Sequence, residues 1–69
     1  MTDTKKLKDQ IQQDIQKVIR KINLDRNYYE DLQSDYDADS VKLAVLKNRL
    51  NYEEEILKML RNYLSMLEE

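Results

Sequence analysis

Cysteine, histidine, glycine, proline, tryptophan and phenylalanine are all missing from this 69-residue chain. Without Cys there is no disulfide, no thiolate metal site and no cysteine nucleophile. Without His there is no imidazole to act as a general base or a metal ligand. Without Gly there is no glycine-rich loop to cradle a phosphate. With Pro gone too, most tight turns lose their usual residues, so the chain has few places to reverse direction. No stretch approaches 18 uncharged apolar residues, so no membrane-spanning helix is expected. The first ten residues, MTDTKKLKDQ, run into a Gln-rich segment and not into an apolar core. No signal peptide is therefore expected, and the expectation is a soluble, cytoplasmic protein.

What remains is rich in helix formers. Hydrophobic residues are 41% of the chain, charged residues 38%, and the net charge is only −2, which is too apolar and too balanced for a disordered chain. The apolar set is mostly Leu, Ile, Val, Met and Tyr, and Lys, Glu, Gln and Arg supply much of the rest, a composition that suits long helices and coiled coils. At this length a single core is marginal without oligomerisation.

Apolar residues in the first half recur at near-heptad spacing: Leu7, Ile11, Ile15, Val18, Ile22, Tyr29, Leu32 and Tyr36. In the second half the stripe is Leu43, Leu46, Leu50, Leu57, Leu60, Leu64 and Leu67. Both are helical periods, and strand alternation fits neither. Between them lies Ser34-Asp35-Tyr36-Asp37-Ala38-Asp39-Ser40. Here Asp37, Asp39 or Ser40 can cap a second helix and suit its positive N-terminal dipole. If the chain reverses there, facing positions should have numbers that add to a constant. Ile11 with Leu67, Ile15 with Leu64, Val18 with Leu60, Ile22 with Leu57, Tyr29 with Leu50, Leu32 with Leu46 and Tyr36 with Leu43 all add to 78 or 79. The expected fold is all-α: one antiparallel, coiled-coil-like helical hairpin over residues 1–69. Helix 1 should cover about 4–34, an acidic turn about 35–40, and helix 2 about 41–67.

Each stripe has one gap, Asp25 in the first and Glu53 in the second, and these numbers also add to 78. Two acids are thus expected in one layer of the seam, with Arg26 beside Asp25 and Arg49 one turn before Glu53 to balance them. The expected role of this layer is to set register at some cost in stability. Acid–base catalysis or metal binding would need further ligands and a dry pocket.

The second helix carries more apolar surface than one neighbour can cover. Val45, Tyr52, Met59 and Met66 lie seven residues apart, and Ile56 and Tyr63 fall between that line and the seam. The combined apolar arc is roughly half the circumference, against the ~100° of a one-sided helix. The expectation is that helix 2 is central, helix 1 covers its seam, and another helix covers these six residues. The occupant would be a second copy, forming a four-helix bundle, or a different protein.

Other motifs fall to simpler readings. Ser34, Ser40 and Ser65 have no base beside them except carboxylates and amines, and Ser40 reads better as a cap. Asp35-Asp37-Asp39 is spaced like the start of a calcium loop, but Ser40 and Leu46 stand where the loop needs Gly and a bidentate Glu. Tyr29, Tyr36, Tyr52 and Tyr63 all lie on apolar arcs, which makes them packing residues. Charge is uneven. Residues 1–22 hold six Lys/Arg against three Asp, residues 23–40 hold one Arg against six acids, and residues 41–69 hold five of each sign. The turn end is therefore acidic, while Lys5, Lys6 and Lys8 should lie near Glu68 and Glu69 at the open end.

The outer face of helix 1 displays Lys6, Gln10, Gln13, Lys17, Arg20 and Lys21, a row of cations and amides that could track a nucleic-acid backbone. With its length, this basic–amide first helix and the Asp37-Ala38-Asp39 turn, the chain resembles in plan the Rop family of plasmid copy-number regulators. That resemblance implies a hairpin dimer that binds RNA through its first helices. Asp9 and Asp14 interrupt the row, and nucleic acid is not the expected partner. The expected function is a non-enzymatic protein–protein interaction module: an adaptor, a regulator or inhibitor, or a subunit of a helical assembly. RNA binding by a hairpin dimer is the alternative. No cofactor, metal, membrane or small-molecule substrate is expected.

Overall fold

The chain forms two long helices packed side by side as an antiparallel hairpin. Helix α1 spans Thr2–Gln33 and α2 spans Ser40–Glu68. The computed structural model describes residues 2–35, 37 and 39–68. The expected seam pair of Tyr36 with Leu43, the turn residue Ala38 and the approach of Glu69 to the N-terminal lysines therefore lie outside the described residues. The Cα envelope measures 55 × 14 × 13 Å. Among the described residues no helix is long and apolar enough to cross a membrane.

The reversal is made without glycine. Among the described residues no backbone φ is positive. Side-chain oxygens do the work that glycine geometry does elsewhere. At the end of α1 the Ser34 amide still donates to Glu30 O (3.2 Å), the Asp35 amide tightens to Leu32 O (3.2 Å), and Ser34 Oγ donates to Asp31 O at 2.8 Å. The helix end thus has some of its orphan carbonyls satisfied locally. Next, the Asp37 amide donates to Asp35 Oδ1 at 3.1 Å, an Asx turn that bends the chain. Asp39 then caps α2. Its Oδ1 accepts from the Val41 amide at 2.9 Å, and its carbonyl accepts the first helical bond, from Leu43, at 3.0 Å. Of the three candidate caps, Asp39 fills the role.

The core is a single seam. Ile11, Ile15 and Ile22 from α1 and Leu46 and Leu50 from α2 are buried. Val18, Leu32, Leu57, Leu60, Leu64 and Leu67 extend the same line half-buried, and Leu7 is exposed. Among the described residues no side chain is fully buried, as follows when each helix has a neighbour on one side alone. The accessible surface is 5798 Å², whereas a compact monomer of 8.4 kDa would expose roughly 4,600 Å².

Candidate functional site

Two features stand apart from ordinary hairpin packing: a carboxyl pair inside the seam and an uncovered apolar face outside it.

Glu53 is only 6% exposed and is the one buried charged residue among those described. Heptad spacing puts it on the seam between Leu50 and Leu57, so α1 covers it as it covers those leucines. Asp25, half-buried, meets it from α1 within hydrogen-bonding reach. Neither Glu53 oxygen has a donor, and neither does Asp25 Oδ2. Two carboxylates can only accept, so the contact becomes a hydrogen bond when one of them carries a proton. Burial, then the hydrogen bond that a protonated Glu53 donates to Asp25, then the Asp25 charge, push the Glu53 carboxyl from 4.5 up to about 7. Lys21 and Arg49 pull it down by smaller amounts.

The cations are not arranged as their sequence positions suggest. Arg26 leaves the layer and pairs with Glu54 on the flank of the seam, Nη2 to Oε1 at 3.2 Å, with both side chains about half exposed. Arg49 is exposed and lines a shallow cleft of about 240 Å³ with Tyr28, Val41, Lys42, Val45 and Leu46. The acid layer is therefore not closed by two salt bridges. Sequence neighbours on a helix diverge by about 100°, so Arg26, next to Asp25, is carried round to the opposite flank.

The flanks of the seam differ in character. The Arg26–Glu54 side is polar, and it continues into a cleft of about 630 Å³ lined by Asp9, Gln12, Gln16 and Arg61 among others. The other side holds the cleft of Tyr28, Val41 and Val45 and leads onto the outer face of α2. On that face Val45 is 52% exposed, Tyr52 69%, Met59 67%, Tyr63 55% and Met66 69%. Ile56 is half-buried against the seam. Leu24 of α1 and Val41 of α2 are also exposed. Val41, in the first turn of α2, escapes a seven-residue count that begins at Val45.

On α1, Lys6, Gln10, Gln13, Lys17, Arg20 and Lys21 are all exposed. Gln10 Nε2 donates to Asp14 Oδ1 at 3.0 Å, so one amide of the row is tied to an interrupting acid. Asp35 and Asp39 direct carboxylate oxygens to backbone amides of the turn and cap. Among the described residues no group of three acidic or other ligating side chains is placed to hold a metal.

No family model, curated protein or solved structure matches this chain.

Proposed function

We propose that this chain is a non-enzymatic protein–protein interaction module, an adaptor, regulator or subunit of a helical assembly, that works through the outer face of α2. The observation that carries the reading is the exposure of Val45, Tyr52, Met59, Tyr63 and Met66 along one side of a single helix. A contiguous apolar strip of this length is uncommon on soluble monomers and marks association. The surface excess over a compact monomer, about 1,200 Å², is of the order that one partner hides in a standard interface.

The occupant favoured by the sequence of that face is a second copy, which would complete a four-helix bundle. Placed antiparallel about a twofold axis between Glu55 and Ile56, two α2 helices set Val45 opposite the partner's Met66, and Tyr52 opposite the partner's Met59. Charge supports the same orientation. Residues 41–50 hold Lys42, Lys47 and Arg49 and no acid, while residues 62–69 hold Glu68 and Glu69 and no base. Antiparallel pairing brings the basic end of one copy to the acidic end of the other, and parallel pairing would stack like on like.

Sedimentation equilibrium of the purified chain, with cysteine crosslinking, tests both levels of this reading. The expected mass is twice that of the chain, and Met59→Glu should return it to the monomer. A mixture of Val45→Cys and Met66→Cys chains should crosslink, and neither should crosslink to itself, because twins lie about 31 Å apart along the axis at 1.5 Å per residue. The absence of native cysteine makes that background clean. Self-crosslinking of Val45→Cys would overturn the antiparallel arrangement. A monomer that crosslinks through position 59 to a different protein in cells would keep the module and reject the second copy. A monomer with no such adduct would overturn the module.

A further inference from the structure

The outer face of α2 makes no use of the carboxyl pair inside the seam. We propose that Asp25 and Glu53 form a proton-operated clasp: one proton shared between them converts a repelling pair into a hydrogen bond and tightens the middle of the hairpin, and its loss loosens it.

The geometry supplies the components. Glu53 lies nine-tenths buried between leucine layers, aimed at Asp25 from the opposite helix. Both its oxygens and Asp25 Oδ2 lack a donor, so the layer is short of one hydrogen. With a proton from solvent on Glu53, its O–H can donate to an Asp25 carboxylate oxygen, leaving one negative charge in the layer where there were two.

The surrounding charges do not replace that proton. On α1, Lys21 is exposed one turn before Asp25, and Arg26 is held by Glu54 on the far flank. On α2, Arg49 is exposed one turn before Glu53. Lys21 and Arg49 favour the ionised acid less than burial and Asp25 oppose it, which leaves Glu53 at about 7. The Cα envelope is only 14 × 13 Å across, so the layer stays close to solvent and can follow pH without unfolding.

The direction follows from linkage. Below about 4.5 Glu53 carries its proton whether folded or unfolded. Between about 4.5 and about 7 only the folded chain holds it, so stability falls as pH rises through that window. Above about 7 both states are ionised and the full penalty is present. The clasp therefore closes on acidification from neutrality, opposite to the usual behaviour of a salt-bridged carboxylate.

Thermal or urea unfolding of the full chain at fixed concentration, at pH 8 and pH 5, tests this. The folding equilibrium constant should rise roughly fifty- to a hundred-fold at pH 5. Glu53→Gln, which donates the hydrogen bond at any pH, should abolish most of that rise and be more stable than the parent at pH 8. Asp25→Asn should also flatten the profile. The Glu53 carboxyl carbon, followed by NMR, should titrate near neutrality. A flat parent profile, a Glu53→Gln profile as steep as the parent's, or a Glu53 that titrates in the ordinary carboxylate range would each overturn the clasp. These readouts concern the seam, and they stand or fall separately from sedimentation of the outer-face variants.

Discussion

Arg26 and Glu54 join the two helices at 3.2 Å on the outside of the hairpin, while their chain neighbours Asp25 and Glu53 meet on the inside. Each helix thus presents an acid to the seam at one position, and at the next position a residue that can pair across the flank. The result is a buried layer short of a donor beside an exposed pair that has one.

That exposed pair should matter little. Both side chains are about half in water, where an ion pair contributes about 0–1 kcal/mol. Arg26→Ala and Glu54→Ala should each shift the urea midpoint slightly at low salt and not measurably in 1 M NaCl. A loss well above 1 kcal/mol would mean that Arg26 also compensates the buried acids.

Replacing both Asp25 and Glu53 by Leu should raise stability by about 1–4 kcal/mol at pH 8, since apolar packing replaces two desolvated carboxylates. Asp25→Leu alone should gain far less, because Glu53 stays buried with no partner. Paired denaturation curves check the order. A double variant that melts below its parent would show that the layer contributes more than register.

Asp39 should be the residue of the turn most costly to lose. Its side chain satisfies the Val41 amide, so Asp39→Ala should destabilise by about 1 kcal/mol, while Asp39→Asn or Asp39→Ser should keep most of the cap. Asp37→Ala, whose amide and not its side chain makes the observed bond, should be nearly neutral. Helicity at 222 nm against temperature distinguishes these.

The exposed row on α1 should bind RNA weakly and without sequence preference. Association should fall steeply with salt, and Lys17→Ala with Arg20→Ala should reduce it further by removing phosphate contacts. Filter binding against structured RNAs at physiological salt measures this. Nanomolar affinity for one of them would make α1 the working surface in place of α2.

Much of the architecture was legible in the chain itself. Residue numbers in a helix convert directly to angles, so near-heptad leucines and isoleucines mark a seam, and a constant sum across the turn sets Asp25 against Glu53. The same conversion reveals that Tyr52, Met59 and Met66 lie off that seam. A stretch holding three Asp and two Ser residues, Ser34 to Ser40, marks the reversal, since no Gly or Pro offers another. Tertiary structure decided the rest. Which of three candidate caps binds the Val41 amide depends on the path of the turn, and Asp39 takes it. Which acid is more deeply buried, and that Arg26 reaches Glu54 while Arg49 faces solvent, depends on the rotation of each helix about its own axis and on side-chain reach. That rotation also leaves Ile56 half-buried while Met59, three residues on, stands in water. Heptad spacing sets the order of side chains around one helix. Only the packing of the two helices determines where along that order the cover ends.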